Sequence, residues 1–196
     1  MTLPRLLVLT DRTQCDRPLV DVVVAAVDAG ARAVVLREKD LPDDERAGLG
    51  AELRAVLDPV GGLLVHAGTT ARPAGSAGTD AVHLAAADPF PDPRPALVGR
   101  SCHSAAELAQ ARCEGCDWAF LSPVFPTASK PGYGPALGVE GFARLQVLGP
   151  PAYALGGVGP GDVAGLLAAG ARGVAVMGAV MRDPAAVPQY LAALRT

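Results

Sequence analysis

The chain reads as an α/β protein whose alternating segments close into a (β/α)8 barrel, a TIM barrel, and three observations carry that reading. First, a cassette recurs in which glycine separates an Ala-rich or amphipathic stretch from an apolar run. It appears as Ala-Gly-Ala-Arg-Ala-Val-Val-Leu at 29–36, Ala-Gly-Thr-Asp-Ala-Val-His-Leu at 77–84, Glu-Gly-Cys-Asp-Trp-Ala-Phe-Leu at 114–121 and Ala-Gly-Ala-Arg-Gly-Val-Ala-Val at 169–176. Each copy is a helix ended by a left-handed glycine, a tight turn and a buried strand. Second, eight short apolar runs are spaced along the chain with helix-length segments between most of them. Third, 50% of the 196 residues are hydrophobic and 19% are charged, so the chain can bury a sizeable core. The competing architecture is an open doubly wound sheet. Its dinucleotide form wants Gly-x-Gly-x-x-Gly after the first strand, and here that strand runs into Thr10-Asp11-Arg12-Thr13-Gln14. The expected organisation is one domain over residues 1–196, slightly shorter than the common barrel range of roughly 200–400 residues.

In chain order, the first strand spans 5–10 and the helix at 18–29 stops at Gly30. A strand at 32–37 and a helix at 42–57 follow, then a strand at 62–66. The connections at 67–79 and 87–96, on either side of a strand at 80–84, are short and rich in Gly, Pro and Ala, so their helices are reduced or absent. The strand at 97–101 leads to a helix at 104–114 closed by Gly115, and the strand at 116–121 opens a long loop. Helices at 139–148, 160–169 and 184–195 alternate with strands at 151–156 and 172–177, and Gly170 closes the second of these helices.

Composition narrows the functional classes. With 17 Lys+Arg against 20 Asp+Glu, the net charge is -3, which leaves no electrostatic footprint for nucleic acid. The apolar stretches are interrupted by Asp21, Asp28, Arg32 and Arg37, short of the about 20 residues of a membrane-spanning helix. The start, Met1-Thr2-Leu3-Pro4-Arg5, lacks a signal peptide's apolar core. Cys15, Cys102, Cys113 and Cys116 form no secreted framework, and Cys113-x-x-Cys116 lacks the second ligand pair of a zinc site. The expectation is a cytoplasmic protein with reduced thiols and small-molecule substrates; a homo-oligomer is compatible with the sequence.

Function in such a barrel sits at the carboxyl ends of the strands. Gly156-Gly157-Val158 and Met177-Gly178-Ala179-Val180 follow the seventh and eighth strands, the usual phosphate-binding sector. The alternative is that these glycines only permit tight turns. Arg37 and Lys39, two residues apart at the end of the second strand, project to one side, unless they serve as structural partners of Glu38 or Asp40. The loop from Ser122 to Gly138 is too long for a mere connector; Thr127, Ser129 and Lys130 in it suit an anion, and a lid over a phosphorylated ligand is the functional reading against that of a rigid surface loop. Ser101, His66 and His103 stand at other strand ends. Asp88 either holds Mg²⁺ or caps a turn before Pro89.

These segments, taken together and in order, resemble the thiamin phosphate synthase/TenI superfamily. The matching stretches are Leu-Val-Leu-Thr-Asp at 7–11, Leu-Arg-Glu-Lys at 36–39, Val-His-Leu at 82–84, Gly-Arg-Ser-Cys-His at 99–103, Ser-Pro-Val-Phe-Pro-Thr-Ala-Ser-Lys at 122–130, Ala-Leu-Gly-Gly-Val at 154–158 and Gly-Val-Ala-Val-Met-Gly-Ala-Val at 173–180. The resemblance implies an enzyme joining hydroxymethylpyrimidine diphosphate to thiazole phosphate with Mg²⁺ assistance and release of pyrophosphate. It implies catalytic roles for Arg37, Lys39 and Lys130, and Asp88 as a Mg²⁺ ligand. Ser101, Thr127, Ser129, Gly156, Gly157, Met177 and Gly178 would contact substrate, with His66 and His103 beside them. Two departures stand out. The family's Asn-Asp after the third strand is His66-Ala67 here, which removes one metal-ligating Asp, and its pyrimidine-contacting Gln is Val35. The alternatives are a TenI-like thiazole tautomerase, whose loop histidine corresponds to Pro123 here, and a non-catalytic binder of a phosphorylated small molecule.

Overall fold

The computed structural model describes residues 3–68, 81–127 and 135–195. Eight parallel strands follow one another around a closed barrel: β1 (Leu6–Leu9), β2 (Ala33–Leu36), β3 (Leu63–Ala67), β4 (Ala81–Leu84), β5 (Leu97–Cys102), β6 (Trp118–Leu121), β7 (Ala152–Leu155) and β8 (Gly173–Val176). Closure comes from β8 pairing with β1, Leu6 opposite Val174 and Val8 opposite Val176. The helices are α1 (Leu19–Asp28), α2 (Asp43–Leu57), α3 (Ala105–Cys113), α4 (Gly138–Gln146), α5 (Val163–Ala168), α6 (Gly178–Arg182) and α7 (Val187–Ala193).

The glycine punctuation behaves as expected in three copies. Gly30, Gly115 and Gly170 hold φ values of +109°, +74° and +94°, a region where a Cβ is strained. Gly78 lies outside the described residues. Ser104 caps α3 by accepting from the Glu107 N–H at 3.2 Å. The segments expected as helices from 160 and 184 each begin instead with a 3-10 turn, Pro160–Asp162 and Pro184–Ala186, where proline occupies the first turn. Among the described residues no helix separates β4 from β5, as the Pro-rich 87–96 segment requires.

Two apolar layers hold the barrel. Inside it lie Leu7, Leu9, Val35, Val65, Trp118, Phe120, Tyr153 and Ala175. Between strands and helices lie the alternate residues, among them Val8, Val34 and Leu64, against Val23, Leu53 and Phe142. Trp118 closes the interior because β5 presents Gly99 to it; a Cβ there would fall 2.0 Å from Trp118 Cε2. Towards the other end of the barrel, the His83 ring stacks on Phe120 at 3.8 Å between centroids, and its Nε2 lies 3.0 Å from Ser101 Oγ.

Arg100, on the outer face of β5, stands in for the missing helix. It is only 2% exposed, and its Nη1 donates to the carbonyls of Ala85, Ala86 and Asp88 at 3.0, 3.0 and 2.8 Å. Its Nη2 sits 2.8 Å from Glu114 Oε2, an ion pair by distance whose angle falls short of a hydrogen bond. Three loop carbonyls that a helix would have satisfied are thus satisfied by one guanidinium.

Two outcomes test this packing. Gly99→Ala should cost about 1–3 kcal/mol by overpacking against Trp118. Gly165→Ala, at an exposed position of α5 with nothing near the added methyl, should gain up to about 1 kcal/mol. Thermal melts of the two variants moving in the same direction would contradict the packing described. The second outcome concerns pH. Burial, and then the positive charges of Lys39 and Arg100, lower the His83 pKa from 6.5 to about 3. The unfolded chain therefore takes up this proton at higher pH than the native one, so the stability tied to neutral His83 is complete above about pH 6.5 and declines as pH falls towards 3. Urea midpoints between pH 7 and 4 should fall less steeply for His83→Gln than for the parent; equal slopes would refute this.

Candidate active site

The carboxyl ends of the strands open on a cavity of about 610 Å³. Beyond β2 the chain turns, the Lys39 N–H donating to the Arg37 carbonyl at 2.7 Å. Arg37 and Lys39 line the cavity, while Glu38 between them is buried on the other side. Arg12 absorbs both neighbouring acids. Its backbone N–H and Nη1 donate to Glu38 at 3.2 and 3.1 Å, and its two terminal nitrogens hold Asp40 at 2.7 Å each. That fork keeps the Asp40 carboxyl below its ordinary pKa. Arg37 is steered by its own N–H, which donates to Thr10 Oγ1 at 2.9 Å. Structural pairing of Glu38 and Asp40 is therefore with Arg12, and the basic pair faces the cavity.

Beyond β1, Asp11 caps a 3-10 turn at Arg12–Gln14. Burial raises its pKa, but bonds from Thr13 and Gln14 outweigh this and hold the carboxyl below its usual range. Beyond β5, Ser101 and His103 line the cavity; His103 Nδ1–H donates to the Ser122 carbonyl at 2.8 Å, and Glu107 accepts from the His103 backbone N–H. Beyond β7, Gly156 and Gly157 have φ values of +95° and +65°. The loop after β6 lies directly on them, the Phe125 N–H donating to the Gly156 carbonyl at 2.9 Å, and a Cβ on Gly157 would fall 2.4 Å from the Pro126 carbonyl. These glycines thus serve a tight turn and a close approach of backbone, and they also line the cavity. Beyond β8, Met177 and Gly178 line it and α6 begins at once. Thr127 lies on the wall, whereas Ser129 and Lys130 lie outside the described residues.

Two expected positions fall elsewhere. His66 has the wrong parity: its ring is on the outer face of β3, with Cε1 3.1 Å from a Cβ built on Gly50 of α2, so it packs under a helix. Asp88 does not line the cavity; its Oδ2 accepts from the Ala85 N–H at 2.7 Å and ties its own turn. The cavity wall also includes His83 and Arg182, neither of them among the residues expected from the sequence. The signal for His83 was available: counting in twos from interior-facing Ala81 puts it inside the barrel. Its Nδ1 is buried without a hydrogen-bond partner.

The described residues do not fit a divalent cation held by side chains of the protein. Ala67 lies on the wall where the second carboxylate would be expected, Asp88 is turned into its loop, and both Asp11 oxygens are engaged by Thr13 and Gln14. Among the described residues no group of three or more His, Cys, Asp or Glu could hold a metal, and no helix is long and apolar enough to cross a membrane. Cys15, Cys102, Cys113 and Cys116 are free thiols.

Comparison with known proteins agrees with this architecture. A relative from Geobacter sulfurreducens is 37% identical over 189 residues, covering 91% of this chain and 87% of its own. The thiamine-phosphate synthase of Methanoculleus marisnigri is 35% identical, covering 91% and 88% of the two chains. The thiamine phosphate pyrophosphorylase of Pyrococcus furiosus superposes with a TM-score of 0.82 at 26% identity, over 97% of this chain and 95% of that one. A 3-hexulose-6-phosphate synthase, at 17% identity and a TM-score of 0.68, shares the fold alone. The model of the thiamine monophosphate synthase family matches residues 6–180, and with these relatives it shows that the chain belongs to that family.

Proposed function

We propose that this chain, acting as one barrel domain in the cytoplasm, joins hydroxymethylpyrimidine diphosphate to thiazole phosphate and releases pyrophosphate. The observation that carries the reading is that one cavity is lined by both a basic pair and a separate set of glycine turns. Arg37 and Lys39 stand at the end of β2, and Gly156, Gly157 and Gly178 at the ends of β7 and β8. Leu9, Val35, Phe120 and Ala175 line the same wall and suit ring faces. Two phosphorylated heterocycles call for such a site.

In the reaction, the bond from the pyrimidine methylene to the diphosphate oxygen breaks and the thiazole nitrogen supplies the pair for a new C–N bond. Arg37 and Lys39, with Lys130 on the resemblance, stabilise the charge gathering on the leaving pyrophosphate. The glycine turns and Met177, with Thr127 and Ser129 of the long loop, fix the thiazole phosphate so that its nitrogen is in line. Ser101 and His103 supply polar groups at the ring edges. His83, neutral at physiological pH, adds no positive charge beside the pyrimidine methylene as its bond to the diphosphate breaks. Mg²⁺, the family's usual ion, would arrive with the diphosphate substrate and offset part of its charge. A tautomerase reading loses support because His66 packs under α2 and the loop position is Pro123.

Incubation with both substrates and Mg²⁺ should yield thiamin phosphate, detected by mass spectrometry; no product at high enzyme concentration would overturn the reading. Arg37→Ala should raise KM for the diphosphate substrate by about tenfold to a hundredfold while leaving KM for the thiazole phosphate within about twofold. An unchanged diphosphate KM would remove Arg37 from this role.

A further inference from the structure

Arg182, the last residue of α6, lines the cavity although it is six positions past the end of β8. Its side chain turns back along the short helix to the helix start. A Cβ built on Gly178 would lie 2.7 Å from its Nη1 and 3.2 Å from its Nη2. Its Nη1 donates to Gln14 Oε1 at 2.8 Å. Gln14 Nε2 in turn donates to Asp11 Oδ2 at 2.7 Å, so the amide is oriented from both ends. A Cβ on Gly178 would also fall 2.5 Å from Gln14 Oε1; glycine at this position is what allows both side chains to lie there.

The chemistry of this arrangement is that of a held cation awaiting an anion. An amide oxygen fixes the direction of a guanidinium without neutralising it, and no carboxylate forms an ion pair with Arg182 among the described residues. Gln14 occupies one of the five N–H donors of the guanidinium. The remaining planar set matches the oxygens of a phosphate, and holding the side chain in advance lowers the entropy lost on binding. The acid nearest in this chain of bonds, Asp11, is satisfied by Thr13 and Gln14.

We propose that Arg182 is a specificity-determining residue that binds the phosphate of the thiazole substrate, with Gln14 as its positioning residue. This rests on the synthase reading and adds to it a side-chain cation beside the backbone turns. Arg182 is exposed and forms no part of the core, so its variants should fold; circular dichroism checks this.

The test is calorimetric titration of the full chain with thiazole phosphate and with the unphosphorylated thiazole alcohol. The parent should bind the ester more tightly than the alcohol. Arg182→Gln should weaken the ester by about tenfold to a hundredfold and leave the alcohol within about twofold. Arg182→Lys should recover part of the loss. Gln14→Ala should weaken the ester by about threefold to tenfold and, in turnover assays, raise its KM with kcat retained. Equal losses for ester and alcohol, no loss for either, or a parent that does not distinguish the two would each overturn the assignment. Ester selectivity that depends on Arg182 without any thiamin phosphate formed would uphold it and remove the synthase reading. Turnover with an unchanged KM in Arg182→Gln would do the reverse.

Discussion

In a closed parallel barrel each strand residue faces either the interior or the helices, and closure fixes which. That alternation governs the rim of this protein. It sends Arg37 to the cavity; beyond a turn Lys39 lines it too, with Glu38 buried on the other side. It places His83 over Phe120 and His66 under α2, although both histidines sit near the ends of apolar strands. It also leaves the interior positions Val35 and Ala67 as small or apolar wall, where the family resemblance implied a glutamine and an aspartate.

The electrostatics of the site follow from who pairs with whom. Arg12 draws off Glu38 and Asp40, Thr13 and Gln14 satisfy Asp11, and Asp88 turns into its own loop. The acids near the rim are therefore engaged, whereas the basic pair at β2 and the guanidinium of Arg182 stand on the cavity wall. Burial keeps His83 neutral, so the floor beneath them carries no added charge. The result is a cavity with cationic side chains and glycine turns on its rim around an apolar middle.

Backbone economy shapes the same cavity. The connection between β4 and β5 has no helix to satisfy its carbonyls, and Arg100 takes three of them, setting Ala85 and Ala86 on the wall. The loop after β6 approaches so closely that Gly157 has no room for a Cβ. A glycine turn at the rim thus answers a packing demand of the fold itself, whatever ligand the cavity takes.

Much of the barrel was legible in the sequence because its signals are local. Gly30, Gly115 and Gly170 stop helices by their own backbone freedom, apolar runs of four to six residues mark strands, and proline-rich 87–96 refuses a helix. Motif spacing likewise placed Arg37, Lys39, Ser101, Gly157 and Gly178 at strand ends. What the sequence could not display was long-range pairing: Arg12 with Glu38 and Asp40, Arg100 with a loop before its own strand, and Arg182 with Gln14 from opposite ends of the chain. Those contacts join residues 12 to 168 positions apart, and only the closing of β8 onto β1 brings the most distant of them within a hydrogen bond of each other.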